Sequence, residues 1–404
     1  MTALQLRAPP ESLMSAITEV AREHFGDHDL QGAELARAVR RVSDAYTRVR
    51  GAPRDVGVER GALCARLKFF LARDFPKLHA PLHELLSVGA LPRPRVLRVL
   101  DLGAGLGATG LSTAWFALTQ AGVERVRVDA VDHDAAALAL GRRLAARWAD
   151  GAGLGLELQT HCAALQPALS RLAPPYDLIV LGFVLNELAE DQPGDAVRSH
   201  HALLSRLATL LADHGAIVVL EPALRAQSRV LQQVRGLFAA GGGPPYVFAP
   251  CLHRGDCPLL VRPRDWCHEQ LPLALPAELA ALARAAGLRT AQLSYSYLTL
   301  HRAPRSLAEL DARPAARVVS APLRSKGKLE LFVCGADMPP RLQRLDRHRS
   351  ASNRALDGVG RGSVVQLLTA DVRDREPTSV GEDDGVRVLQ SLAAIDTDGE
   401  RGLC

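Results

Sequence analysis

Between residues 96 and 220, five short apolar runs rich in β-branched residues alternate with stretches of helical period. That alternation restricts the chain to a parallel sheet with crossover helices. The strand-like runs are Val96–Leu102, Val126–Val131, Leu156–His161, Asp177–Phe183 and Ala216–Leu220, and the helical ones Leu111–Gln120, Ala135–Trp148 and His200–Leu211. A helix is expected over 224–239 and another over Pro276–Ala286. Strands at Thr290–Leu300 and Leu329–Val333, paired as a hairpin, would complete a seven-stranded sheet. Upstream, Leu13, Ile17 and Val20, then Leu35, Val39, Val42 and Tyr46, repeat with helical spacing until Pro92 and Pro94. The expected division is a helical N-terminal domain over 1–93, an α/β domain over 94–335 and a C-terminal extension over 336–404. The extension starts with Pro339, Pro340 and a basic run (Arg341, Arg344, Arg347, Arg349) and reads as a small β unit or partly disordered.

A chain of 404 residues can bury one large core and carry smaller appendages. Its 48% hydrophobic and 23% charged residues are those of a globular protein. No apolar run approaches the roughly 18 residues that span a bilayer, so no membrane is expected. The start, MTALQLRAPPESLMSAITEV, lacks the form of a secretory signal, which makes the cytoplasm the expected location. Net charge is +5, and only four residues are lysine (Lys68, Lys77, Lys326, Lys328). Arginine forks onto phosphates, which leaves RNA open as a partner, although a bias toward Ala, Arg, Leu and Gly gives the same count. An aromatic content of 4% opposes a base-stacking platform, and no DNA partner is expected.

The first strand runs into Asp101-Leu102-Gly103-Ala104-Gly105-Leu106-Gly107-Ala108-Thr109-Gly110. Glycines at 103, 105 and 107 permit a tight turn whose amides come near a ligand. Asp101 can engage either a positively charged group or a loop amide. Gly105-x-Gly107-x-x-Gly110 with Asp132 is also a formal match to the dinucleotide fingerprint of NAD enzymes. The turn begins at Gly103, however, and the resulting D-x-G-x-G form resembles class I methyltransferases, as does a fourth strand followed by Asn186-Glu187-Leu188. That resemblance implies a Rossmann-like methyltransferase sheet over 94–335 and S-adenosyl-L-methionine at Asp101, Gly103, Gly105 and Gly107. Asp132 would accept from the ribose hydroxyls, and His161 or Cys162 would fall beside adenine. The end of strand four lacks both an Asn/Asp-Pro-Pro-Tyr/Phe sequence and a Pro-Cys nucleophile, so no catalytic residue is assigned. Glu221 reads as a structural acid.

Seven cysteines in a chain without a signal do not form a disulfide framework. Three cluster as Cys251-x5-Cys257-x9-Cys267 in a segment inserted over 243–272, and Cys334 follows after 66 further residues. Thiolates at such positions suit an iron–sulfur cluster or zinc, and His253 and His268 would allow a mixed zinc site. Pro250, Pro258 and Pro263 stiffen the segment. Buried small side chains are the alternative, strongest for Cys334 at the end of the apolar run Leu329–Val333.

The string Ala249-Pro250-Cys251-Leu252-His253…Cys257-Pro258…Asp265-Trp266-Cys267-His268 resembles the methyltransferase-like assembly factors of the mitochondrial small ribosomal subunit and their bacterial relatives. Leu220-Glu221-Pro222, Leu185-Asn186-Glu187-Leu188 and Asp101…Gly107 occur in the same order, so the likeness covers roughly residues 40–335. Leu252 stands where proline is usual, which leaves every thiol in place. The resemblance implies a [4Fe–4S] cluster on Cys251, Cys257, Cys267 and Cys334, S-adenosylmethionine at the glycine loop, and action on the small ribosomal subunit near its rRNA. Three readings follow: an rRNA methyltransferase, a non-catalytic assembly factor on the same scaffold, and a small-molecule methyltransferase with structural zinc.

Overall fold

The computed structural model describes residues 2–5, 8–48, 60–190, 195–289, 292–336, 340–368 and 377–393. After β1 (Thr2–Gln5) come helices α1 (Glu11–Phe25), α2 (Gly32–Arg48), α3 (Arg60–Ala65), α4 (Leu71–Asp74) and α5 (His79–Ser87). Arg66–Phe70, between α3 and α4, is wound as a π-turn. α1 buries Leu13, Ile17 and Val20 on one face, the spacing of an amphipathic helix.

The first sheet is laid down as β2 (Val96–Leu102), α6 (Ala108–Gln120), β3 (Arg125–Asp132), α7 (Ala135–Ala152), β4 (Leu156–Cys162), α8 (Leu165–Leu169) and β5 (Tyr176–Gly182). It continues through α9 (Leu185–Glu190), α10 (Ala196–Ala208), β6 (Leu211–Pro222), α11 (Arg225–Ala240), β7 (Tyr246–Ala249), β8 (Glu269–Pro272), α12 (Ala277–Ala285) and β9 (Gln292–His301). The strand order is β4-β3-β2-β5-β6-β9-β7, with β8 added on β9. The first five are parallel, and β9 runs antiparallel to both β6 and β7. Central strands such as β5 and β6 are buried almost end to end, as a sheet covered on both faces requires.

A second sheet follows: β10 (Ala316–Val318), β11 (Leu323–Ser325), β12 (Lys328–Cys334), β13 (Arg341–Leu345), β14 (Val364–Leu367), β15 (Thr378–Ser379) and β16 (Val386–Ala393). Its order is β1-β16-β14-β10-β12-β13-β15, with β11 on β12. Leu329, Leu331, Leu342, Val365 and Val388 make its core.

Four expectations change. The antiparallel partner of β9 is β7, not the 329–333 run, which belongs to the second sheet as β12. β7 lies inside the 243–272 segment, so the cysteines follow the sixth strand of the first sheet rather than the fifth. The division at 335/336 cuts between paired neighbours, because β12 pairs β13 across it and β10 pairs both β12 and β14. The N-terminal helices, finally, do not close a core of their own. Leu13, Ile17 and Phe75 pack in one cluster with Leu111, Leu144 and Trp148 of α6 and α7. Thr290 and Pro339, used above as markers, lie outside the described residues, as do 369–376 and 394–404 of the extension.

Candidate functional site

The carboxyl ends of β2, β3, β5 and β6 open on one edge of the first sheet, the usual position of a ligand in such folds. Gly103, Gly105 and Gly107 there take φ of 68°, 52° and 84°. At Gly103 the need for glycine is steric as well, since a Cβ would stand 2.2 Å from Val184 Cγ2. Asp101 is fully buried and accepts from Thr109 Oγ1 (2.7 Å) and the Gly110 amide (2.7 Å). It therefore takes the loop-amide option and ties the first turn of α6 to β2. Asp132 accepts from the amides of Gly105 (2.8 Å, at Oδ2) and Asp134 (2.8 Å, at Oδ1), and His133 Nδ1 lies 3.3 Å from Oδ1, so Oδ2 keeps the further lone pair.

Burial pushes the Asp101 carboxyl up to about 7. Because the folded value lies above the ordinary one of about 3.8, its contribution is fully present below that value and is lost as pH rises through about 7. Asp101→Asn mimics the protonated form. It is expected to flatten the fall of stability between pH 4 and 7, by at most about 1.4 kcal/mol per pH unit. Urea unfolding at several pH values checks this; a slope equal to that of the wild type would contradict it.

Glu221, at the end of β6, accepts from the amides of Leu185 (3.0 Å) and Asn186 (3.2 Å) and so caps α9; burial raises it to about 8. With its nitrogen turned toward Glu221, the Asn186 side chain donates to Glu221 Oε2 (3.1 Å) and to the Phe183 carbonyl (2.7 Å). Phe183 itself sits at φ 65°, a strained value for a non-glycine residue. The Lys77 ammonium lies 4.1 Å from the centre of its ring and also pairs with Asp74 (2.9 Å). Burial lowers Lys77 to about 8. Arg66, on the π-turn, bonds Asp134 (2.8 Å) and reaches 2.9 Å from where a Gly105 Cβ would be. Sequence reasoning missed Arg66 and Lys77, which are distant in the chain and carry no motif. His161 is committed to Asp129 (2.8 Å), whereas Cys162 is exposed at the end of β4.

Cys251, Cys257, Cys267 and Cys334 line a single cavity. Three come from the segment between β7 and β8, and the fourth ends β12 of the second sheet. α11 organises the segment by drawing its carbonyls inward. Arg229 donates to the carbonyls of Leu259 (3.2 Å), Leu260 (3.1 Å), Arg262 (3.0 Å) and Asp265 (2.8 Å). Arg235 holds those of His253 and Gly255. His253 Nε2 lies 3.2 Å from Cys334 Sγ, and His268 stacks on Trp266. Burial, followed by the neighbouring Cys251 and Cys257, pushes the Cys334 thiol up to about 12; burial and Cys251 likewise raise Cys267. Among the described residues, no three His, Cys, Asp or Glu side chains form a ready shell for a single ion.

Arg317 of β10 binds the cysteine segments to the rest of the molecule. It is the cross-strand partner of Cys334 and donates to the carbonyl of Pro250, beside Cys251 (2.8 Å), and to Glu269, two residues past Cys267 (3.2 Å). Its other end pairs with Glu84 of α5, which also accepts from Tyr297 (2.7 Å) and Gln390 (3.0 Å).

An antiparallel β9 between β6 and β7, a glycine turn after β2 and an acid after β3 define the class I S-adenosylmethionine-dependent methyltransferase fold, and exclude the all-parallel sheet of the NAD alternative. Within that class, the chain belongs to the family described as mitochondrial small ribosomal subunit Rsm22, whose model matches residues 67–349. The match runs past residue 335 through β13. Among solved structures, it is similar to a precorrin-6Y C5,15-methyltransferase from Geobacter metallireducens (13% identity over 54% of this chain and 87% of that one, TM-score 0.30). It is also similar to an S-adenosylmethionine-dependent methyltransferase from Agrobacterium tumefaciens (15%, 58% and 64%, TM-score 0.34). A third is an rRNA methylase from Streptococcus thermophilus (14%, 55% and 93%, TM-score 0.29). No curated protein sequence matches the chain. No helix among the described residues is long and apolar enough to cross a membrane.

Proposed function

We propose that this protein binds S-adenosylmethionine at the glycine edge, carries a [4Fe–4S] cluster on Cys251, Cys257, Cys267 and Cys334, and acts on the small ribosomal subunit and its rRNA during assembly. The observation that carries the reading is the meeting of four cysteines, drawn from two sheets, in one cavity of a chain from this family. The donor set fits the cluster in kind: all four are thiols, the usual ligands of iron–sulfur clusters, and they line one cavity. Bound S-adenosylmethionine supplies an electrophilic methyl group. Gly103, Gly105 and Gly107 would let the backbone approach it, Asp132 would take the ribose hydroxyls, and Arg66 places a positive charge beside Gly105 that suits a carboxylate.

Of the enzymatic and assembly-factor forms, the second is favoured by the residues after β5. The Asn186 amide is spent on Glu221 and Phe183, so it is not offered to a target base. Anaerobically purified protein is expected to contain iron and sulfide in equal amounts. In calorimetry it should bind S-adenosylmethionine, with Asp132→Ala about tenfold or more weaker, on the scale of a charge-assisted hydrogen bond. Zinc without sulfide would refute the cluster, and no binding by the wild type would refute the cofactor. Mass spectrometry of rRNA from a deletion strain separates the two forms: unchanged methylation with stalled subunits supports the assembly factor, and a missing methyl group supports turnover.

A further inference from the structure

α11 turns three polar side chains, Ser228, Gln232 and Arg235, toward the cavity of the four cysteines, at the i, i+4, i+7 spacing of one helix face. Two of the three have work within the protein. The Ser228 hydroxyl meets that of Ser296 at 2.5 Å, and the terminal nitrogens of Arg235 hold the carbonyls of His253 and Gly255. Gln232 is different. It is 8% exposed, and neither its amide nitrogen nor its amide oxygen has a partner. Burying an unpaired amide is costly, and an apolar side chain of similar length would fill the same space without that cost. A group of this kind is explained when the cavity's occupant supplies the missing partner.

We propose that the Gln232 side-chain amide, buried without a partner among Cys251, Cys257, Cys267 and Cys334, donates an N–H hydrogen bond to a sulfur of the iron–sulfur cluster and thereby raises its reduction potential. The inference rests on the cluster reading above. Sulfide and thiolate sulfurs are acceptors without hydrogens, which suits an NH2 group that finds no oxygen. Adding an electron increases the negative charge on those sulfurs, so a donor aimed at them stabilises the reduced form more than the oxidised one. Arg235, whose Nε also lacks a partner, is tied to the loop at its other end and contributes a fixed positive charge to the same wall. Its loss would displace the loop, so it is the poorer probe.

The test uses the full-length protein loaded with its cluster, titrated anaerobically with dithionite through redox mediators and followed by electron paramagnetic resonance. Gln232→Met keeps an unbranched chain and removes both amide groups. It is expected to retain iron and sulfide while its potential falls by about 59 mV, a tenfold change in the oxidised-to-reduced ratio for one electron. Gln232→Leu should move the potential the same way. Unchanged potentials in variants with full iron content overturn the inference but leave the cluster standing. A wild-type protein without iron and sulfide overturns both. If the variants fail to hold the cluster, the wild type still decides. With 15N in its glutamine side-chain amides, the reduced protein should show nitrogen coupling to the cluster, and its absence overturns the hydrogen bond.

Discussion

Arg317→Met is expected to destabilise the protein by about 3–5 kcal/mol, the usual cost of removing one partner of a buried ion pair. Arg317 is 3% exposed and Glu84 1%, so the carboxylates left behind cannot turn to water. Methionine fills much of the volume, which isolates the loss of charge and donors from the loss of packing. Four contacts go at once: the carbonyls of Pro250 and Gly362, and the carboxylates of Glu84 and Glu269. Glu269 already has one oxygen without a partner, and burial holds its carboxyl up at about 7, so it is poorly placed to lose the guanidinium. Urea unfolding of Arg317→Met, of Glu84→Gln and of the double variant checks the argument. The double variant should be less destabilised than the sum of the singles, because Glu84→Gln removes the charge that Arg317→Met strands. A single-variant loss under about 1 kcal/mol, or strict additivity, would show that the pair does not hold the junction.

Very little of that junction was legible in the chain. The alternation from Val96 to Leu220 announces the parallel half of the first sheet because each element is long enough to show its own period, and the turn at Gly103–Gly107 announces the sheet edge. β7 escaped because Tyr246–Ala249 is a four-residue run between Gly/Pro-rich and cysteine-rich segments, and a run that short carries no period. The run Leu329–Val333 has the composition of a strand, but it pairs in the second sheet and not the first, since periodicity says nothing about which neighbour a strand will find. Arg229, Arg235 and Arg317 were invisible for a compositional reason. In a chain where arginine supplies nearly all the positive charge, three that are engaged in fixing backbone and carboxylates look like the many that face solvent. Gln232 has no sequence signature at all; only the cavity around it makes an unpartnered amide meaningful. The four cysteines are legible as a group by type, but Cys334 stands apart in the chain, and only the pairing of β10 with β12 shows that it lies opposite Arg317.

That placement makes Cys334→Ser the most informative substitution in the molecule. Cys251, Cys257 and Cys267 belong to a loop of the first sheet, and Cys334 belongs to the second, so a cluster on all four joins the two sheets across 66 intervening residues. A metal site absent from the unfolded chain adds its binding free energy to folding, and on the proposed reading that contribution would fall on the junction. Cys334→Ser is expected to lose most of its iron. The amides of β10, β12 and β14 should then exchange on the order of tenfold faster, while β2, β3 and β5 stay protected by the core of the first sheet. Cys251→Ser should lose iron as well. Cys64→Ser is the control: this cysteine is buried among the N-terminal helices, beside Asp29, so its substitution should weaken packing and leave the iron unchanged. Were Cys334 merely a core cysteine of β12, its serine variant would behave like Cys64→Ser, with some loss of stability and full iron content. The two outcomes differ in iron per chain before any question of stability arises, so the fourth ligand can be decided even if both variants unfold more easily than the parent.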